Sequence, residues 1–146
     1  MNSTRDPSEN GRRVAREALE HVCSGSGAMR AADCYSPTFV DHVNGMEFHG
    51  LAGVERSVAL YRSVLSDLRI AVREQLVDED RVASRYVISG TCRGRRVTFD
   101  GITISRLENG LVVEDWSVTD TFGMLRQLGF WRALLIRVQQ WRTALN

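Results

Sequence analysis

The chain has 146 residues, of which 43% are hydrophobic and 25% charged, and its net charge is +1 at pH 7. This size and balance are typical of one soluble globular domain, so residues 1–146 are interpreted as a single domain. The near-neutral charge provides no large basic surface for nucleic acid or an anionic membrane. No apolar run approaches the roughly 20 residues of a membrane span, and the polar N-terminus does not resemble a signal peptide.

Three cysteines, Cys23, Cys34 and Cys92, form no CxxC pair and show no metal-ligand spacing with histidine. An odd count with irregular spacing predicts a reduced, cytoplasmic chain in which the thiols fill small apolar spaces. The sequence therefore predicts neither a metal site nor a disulfide framework.

The N-terminal third is predicted to be helical after a disordered tail over residues 1–6. Asp6 is a favoured N-cap and Pro7 suits the first helical position, so a helix begins there. Apolar residues at helical spacing continue it as far as Val22, and the Ser-Gly-Ser-Gly run at 24–27 ends it. A second, short helix is expected up to Cys34, followed by a turn at 36–37.

The next segment changes from extended chain to helix. Residues 39–42 are predicted to be extended and to lead into a loop that contains Asn44-Gly45 and reaches Gly50. An apolar stripe at steps of three and four residues then predicts a third helix from about Leu51 to Leu65.

In the remaining chain, apolar and polar residues alternate with a period of two until a helical pattern returns near the C-terminus. Strands are predicted from about residue 70 to 76 and over 82–91, 97–107 and 111–120, joined by short turns that include Asn109-Gly110. A final helix is predicted over 124–145, kinked or divided at Gly129. Helices followed by a meander of strands indicate an α+β fold, with a mostly antiparallel sheet and a ligand cavity between its layers.

Several segments in this order resemble the SnoaL-like polyketide cyclases of the nuclear-transport-factor-2-like superfamily. They are YSPTFVDH at 35–42, FHGLAGV at 48–54, DL at 67–68, VTFDGI at 97–102 and LENGLVVEDWSVTD at 107–120. The resemblance implies a cone-shaped half-barrel with helices on the concave face of the sheet. It also implies a homodimer formed through the outer face of the sheet and no metal or organic cofactor. Known members close the last ring of an aromatic polyketide by an intramolecular aldol reaction, using a carboxylate on the last strand.

Asp120 is the first candidate catalytic residue, because it matches that carboxylate by resemblance. Along a strand it shares a face with Trp116 and Val118, which predicts an inward position at a pocket wall. Partial burial would raise its pKa and suit acid/base work near neutral pH. Alternatively, Asp120 caps the C-terminal helix, because aspartate is a favoured N-cap.

Two further catalytic candidates are His42 and Asp100. Histidine is the usual proton carrier at neutral pH, and His42 lies where the family often places a polar residue in the cavity. Asp100 shares a strand face with Ile102 and Ile104, so it is a candidate second pocket carboxylate. For His42 the alternative is a structural role.

The substrate-binding candidates are Asn44, Met46, Tyr61, Arg85 and Trp116. Asn44 could donate a hydrogen bond to a substrate oxygen, or be a turn residue. Arg85 could hold an anionic enolate or pair with a pocket carboxylate, or face outward at a dimer interface. Tyr61 and Trp116 are expected to wall the pocket, although aromatic residues at such spacing also fill cores.

The resulting hypothesis is a cofactor-independent cyclase that acts on a small apolar or polycyclic molecule. Two alternatives stay open. One is another enzyme on the same scaffold, such as an epoxide hydrolase, isomerase, hydroxylase or pericyclic cyclase. The other is a binding or structural protein without catalysis. The sequence contains no GxGxxG, Walker, GxSxG or HExxH motif.

Overall fold

A computed structural model describes residues 7–129 of the chain. Its helices are α1 (Pro7–Glu17), α2 (Ala31–Cys34), α3 (Gly50–Val64) and α4 (Thr121–Leu128), and a π-helical segment, Ala18–Cys23, continues α1. The predicted first three helices are confirmed, with α3 one residue earlier at each end. The predicted N-terminal tail and the part of the last helix beyond Gly129 lie outside the described residues.

Within residues 7–129, six strands form one mixed sheet: β1 (Tyr35–Val43), β2 (Met46–His49), β3 (Ser66–Asp78), β4 (Arg81–Cys92), β5 (Arg95–Glu108) and β6 (Leu111–Thr119). Their order is β2-β1-β6-β5-β4-β3. All neighbours pair antiparallel except β1 and β6, which run parallel. The sheet is curved and unclosed, which confirms the predicted α+β half-barrel.

Two local predictions in the first strand are wrong. The expected turn at Ser36-Pro37 is part of β1, in a stretch where the register with β6 shifts between Tyr35 and Val40. Proline is tolerated in such an irregular stretch, because its missing N–H need not join the ladder of hydrogen bonds. The expected loop after Asn44 is a hairpin in which β1 pairs with β2, and Asn44 and Gly45 both adopt positive φ at its turn.

The two faces of the sheet differ in what covers them. Alternate residues of β4 and β5 are buried against the helices, among them Tyr86, Ile88 and Phe99. The intervening residues, together with outward residues of β6, form an outer face that no described helix covers, where Ile102 of β5 is 48% exposed and Val118 of β6 is 64% exposed. Because both faces carry apolar side chains, hydrophobic alternation alone does not identify the inner one.

One glycine is required by the packing of the inner face. Gly101 lies directly opposite Tyr86 across β4 and β5. A Cβ atom at position 101 would lie 2.4 Å from the Tyr86 ring. The missing side chain therefore leaves the space in which this buried tyrosine lies against β5.

Candidate functional site

An interior cavity lies between the helices and the inner face of the sheet. It has about 50 Å³ of space open to water-sized molecules, which is room for a few waters. Its walls come from the π-helical segment, β1, α3, β3, β4 and β6: Leu19, Cys23, Tyr35, Phe39, Asp41, Val43, Val54, Ser57, Val58, Tyr61, Ile70, Tyr86, Ile88, Asp115 and Ser117. Most of these side chains are apolar or aromatic, so the few polar groups define its chemistry.

Two carboxyl groups share this cavity. Asp41 of β1 and Asp115 of β6 are directly opposite one another where these two strands run parallel. Paired residues on neighbouring strands project from the same face of a sheet, and the strands are roughly 5 Å apart. The topology thus brings two carboxyl groups together from distant parts of the chain, in a setting with apolar walls.

Asp115 is the more deeply buried of the two, with 6% of its surface exposed. Burial raises its pKa to about 8; a hydrogen bond from Ser105 opposes this effect, and the charge of nearby Asp41 adds to it. Among the described residues, its Oδ1 atom has no hydrogen-bond partner. At neutral pH this group is therefore mainly a protonated, uncharged carboxylic acid.

Asp41 is less strongly perturbed. Burial raises its pKa to about 6, while a hydrogen bond from Ser57 and the charge of His42 lower it. Asp41 is thus mainly ionised at neutral pH yet still has an appreciable affinity for a proton. Two carboxyl groups whose environments separate their pKa values in this way are suited to opposite roles, one as base and one as acid.

Hydroxyl and thiol groups complete the polar part of the cavity. The Cys23 thiol and the Tyr35 hydroxyl are 3.1 Å apart and form a hydrogen bond. Burial raises the pKa of Cys23 to about 12, so this thiol is not a thiolate nucleophile at neutral pH. Burial also raises the pKa of Tyr61 and holds that of Tyr86 well above its usual range, so both phenols remain protonated donors.

The predicted inward position of Asp120 is wrong. Asp120 is exposed and caps α4, where its Oδ1 accepts a hydrogen bond of 2.8 Å from the Gly123 N–H. On β6 it is Asp115 and Ser117 that line the cavity, whereas Val118 projects outward. The helix-cap interpretation of Asp120 describes its observed contacts.

His42 and Trp116 also lie outside the cavity, on the outer face of the sheet. Their rings stack with centroids 5.7 Å apart, and the guanidinium of Arg81 lies over the Trp116 ring. The His42 ring nitrogens contact Glu47 at 3.1 Å and Glu114 at 3.0 Å. The expected pocket positions of His42 and Trp116 are therefore wrong, because neighbouring residues of a strand face opposite sides and Asp41 takes the inner one.

Asp100 and Arg85 are likewise on the outer face. Asp100 is exposed between the buried residues Phe99 and Gly101. Arg85 is exposed and forms an ion pair of 3.2 Å with Glu74. Their expected pocket positions are wrong, while the outward-facing alternative for Arg85 matches the structure.

The remaining candidates divide between the wall and the rim of the site. Tyr61 lines the cavity as expected. Asn44 is not part of the lining; its side chain donates to Thr119 Oγ1 at 2.7 Å and to the Tyr61 hydroxyl at 3.4 Å. Met46, on β2, is partly buried and does not belong to the lining of the cavity. Asn44 can thus position Tyr61, which is a smaller role than direct substrate binding.

Sequence reasoning missed Asp41 and Asp115 as site residues. For Asp41 a signal was present in the sequence, because the apolar residues Phe39 and Val43 lie two positions to either side of it. In the structure both are buried. For Asp115 the signal was hidden by a shift in register between β5 and β6, where Leu107 pairs with Val112 but Arg106 pairs with Glu114. Val113 is therefore an extra residue on β6, and it changes which alternate residues of this strand face inward.

Within residues 7–129, no group of three or more His, Cys, Asp or Glu side chains is arranged as metal ligands. None of the helices described for this chain is long and apolar enough to cross a membrane.

Comparison with known proteins identifies relatives of this fold. The family model of the SnoaL-like polyketide cyclases matches residues 13–128. IdmH of Streptomyces antibioticus, a proposed polyketide cyclase, is similar in structure, with a TM-score of 0.70 and 22% identity over 86% of this chain and 100% of its own. TsrD of Streptomyces laurentii has a TM-score of 0.66 and 22% identity over 88% and 98% of the two chains. AclR of Streptomyces galilaeus, a proposed hydroxylase, has a TM-score of 0.66 and 24% identity over 84% and 97%. No curated protein sequence matches the chain significantly.

Proposed function

Because the chain belongs to the SnoaL-like polyketide cyclase family, we propose that it is a cofactor-independent enzyme that closes a ring in a polyketide substrate by an intramolecular aldol reaction. The observation that carries this proposal is the Asp41 carboxylate in an apolar, aromatic-walled cavity, with its pKa raised to about 6. A general base works best when its pKa lies near the operating pH.

In this proposal Asp41 removes a proton from a carbon alpha to a carbonyl group. The electron pair of the broken C–H bond forms an enolate, whose carbon then attacks a second carbonyl group of the same molecule. Asp41 returns its proton to the resulting alkoxide, so the enzyme is unchanged after one cycle. Confinement holds the two ends of the substrate close together, which replaces a bimolecular encounter by an intramolecular one.

Binding of a ring-sized substrate requires the cavity to widen. An apolar cavity of about 150 Å³ can hold benzene, whereas this one provides about 50 Å³. The wall formed by α3 contributes Ser57, Val58 and Tyr61. We therefore propose that the ligand displaces side chains on the α3 side of the cavity.

The alternative of an epoxide hydrolase with an Asp-Arg-Asp set receives no support from the lining. Among the described residues that line the cavity there is no arginine. Arg85 lies outside the cavity, paired with Glu74. The two carboxyl groups with an apolar wall fit proton transfer at carbon better than activation of water on an epoxide.

The test uses proton exchange at carbon and does not require the natural substrate. Wild-type protein is incubated in D₂O with α-tetralone and with linear poly-β-keto esters, and deuterium incorporation and ring closure are followed by NMR. We expect Asp41→Asn to slow both reactions by roughly a hundredfold or more, which is the usual contribution of a general base. Glu114→Gln is the matched control, because Glu114 is a carboxylate next to Asp115 that belongs to the outer face.

Wild-type rates in Asp41→Asn would refute the role of Asp41. A wild-type protein that neither exchanges protons nor cyclises any member of the panel, but binds these compounds, would favour the non-catalytic binding alternative.

Two further properties belong to the same proposal. We propose a homodimer formed through the outer face of the sheet, supported by the exposure of Ile102, Ile104 and Val118 on adjacent strands. Sedimentation of Ile102→Glu should then give a monomer. We also propose a cytoplasmic location and a place in antibiotic biosynthesis, the former supported by the odd number and irregular spacing of the cysteines.

A further inference from the structure

The feature behind this inference is a buried carboxyl oxygen without a partner. Asp115 Oδ1 forms no hydrogen bond with any described residue, although only 6% of the surface of Asp115 is exposed. Buried polar atoms in folded proteins almost always have a partner, so each exception requires an explanation. Asp115 lines the cavity, which has room for a few waters, so a water molecule or a ligand bound there can act as a partner of this carboxyl group.

The groups around Asp115 determine its charge. Asp41 faces it from β1, Ser105 from β5, and the more distant Cys23, Tyr35 and Tyr86 carry no positive charge. No arginine, lysine or histidine belongs to the described lining of the cavity. A carboxyl group in such surroundings keeps its proton at neutral pH and can donate a hydrogen bond.

We propose that Asp115 is the hydrogen-bond donor that stabilises the enolate: its O–H donates a hydrogen bond to the substrate oxygen that becomes negatively charged when Asp41 removes the alpha proton. This inference rests on the proposed function and adds a second catalytic residue to it. The alpha proton transfers to Asp41, and the electron pair of the broken C–H bond forms the C=C bond of the enolate. The carbonyl π electrons move onto the oxygen that Asp115 holds. Asp115 keeps its proton throughout, so no further reactant is needed.

The spacing of the pair supports this division of roles. The two carboxyl groups come from directly opposed residues of parallel strands, so a carbonyl carbon and its neighbouring alpha carbon can lie above the pair. One carboxyl then meets the oxygen and the other meets the alpha hydrogen. A preformed donor at the developing charge is among the largest contributions that an active site makes.

The experiment measures binding of 4-nitrophenolate, whose oxygen stands in for the enolate oxygen. Binding is followed by the absorbance of the phenolate in Asp41→Asn protein, in which the negative charge of the base is removed. We expect the affinity for the phenolate anion to fall tenfold per pH unit once Asp115 ionises, because an ionised carboxylate cannot donate a hydrogen bond and repels the anion. In the double variant with Asp115→Asn, the affinity for the phenolate anion should not depend on pH, since the amide still donates and has no charge. The double variant with Asp115→Leu should bind the phenolate at least tenfold more weakly than the Asp115→Asn double variant at every pH.

The same substitutions in the otherwise wild-type chain provide the catalytic readout. Asp115→Asn should retain proton exchange within roughly tenfold, while Asp115→Leu should lose roughly a hundredfold, as expected when an oxyanion donor is removed. Wild-type exchange and unchanged phenolate affinity in Asp115→Leu would overturn the inference, as would the absence of saturable phenolate binding. If Asp41→Asn is inactive in that case, the proposed function stands without Asp115. If Asp41→Asn is fully active, the proposed function itself is wrong.

Discussion

Replacing Asp115 by Asn should make the stability of the protein less dependent on pH. The carboxyl group has an ordinary pKa of 3.8, and burial raises it to about 8 in the folded chain. Between these two values the folded chain holds a proton that the unfolded chain has released. Unfolding then releases a proton, so this group makes the protein less stable as the pH rises through this window.

The size of the effect follows from the shift. Each pKa unit corresponds to about 1.4 kcal/mol, so the penalty is about 4 kcal/mol at pH 7 and levels off above the folded pKa. The assay is urea unfolding followed by tryptophan fluorescence at unit intervals from pH 5 to 9. The free energy of unfolding of Asp115→Asn, relative to wild type, should increase with pH until about pH 8 and then stay constant.

A constant offset between the two curves would not matter, because an amide in this site has its own packing cost at every pH. Parallel curves over the whole range would refute the reasoning, since they would mean that Asp115 has the same proton affinity in both states. Glu114→Gln is the control: His42, followed by Arg106, lowers the pKa of Glu114 below its ordinary value of 4.5, so its contribution is lost only at lower pH and the difference from wild type should stay flat from pH 5 to 9.

Three other predictions concern residues at and around the site. Asp120→Ala should lower the free energy of unfolding by about 1 kcal/mol through loss of the α4 cap, whereas Asp120→Asn should keep both the cap and activity; an inactive but stable Asp120→Asn would restore the catalytic interpretation. Gly101→Ala should destabilise the fold by about 1–3 kcal/mol in urea unfolding, because its methyl group overlaps the Tyr86 ring; an unchanged midpoint would contradict this packing. His42→Ala should leave proton exchange within about twofold of wild type, since the ring lies on the outer face; a loss comparable to that of a general base would place His42 in the chemistry.

The sequence was sufficient to predict the fold because its signals were local. Glycine and asparagine turns separated the strands of the meander, and apolar spacing of three and four residues marked the helices. The hairpin at Asn44-Gly45 carried the same signal as the one at Asn109-Gly110, but the strand that follows it has only four residues. Its short length made it resemble a loop.

The site was harder to predict because it depends on which face of each strand is covered. Trp116 and Val118 indicated an inner face for their side of β6, yet the outer face of this sheet is itself apolar. The register shift before Glu114 also interrupts the alternation of inward and outward residues. Alternation counted from the start of β6 and alternation counted from its end therefore assign the same residue to opposite faces. Only the helices, which cover one face, decide that Asp41 and Asp115 lie inside.

The parallel pairing of β1 with β6 has a consequence for how the protein folds. β3 to β6 are joined by short turns, so their contacts form between neighbours in sequence, whereas β1 meets β6 only across most of the described chain. Contacts between distant segments have a larger entropic cost and tend to form late. The two carboxyl groups would therefore remain apart and hydrated, each with its ordinary acidity, until this last pairing is complete. Under the proposed mechanism the chain would then be inactive during synthesis until β6 has emerged from the ribosome.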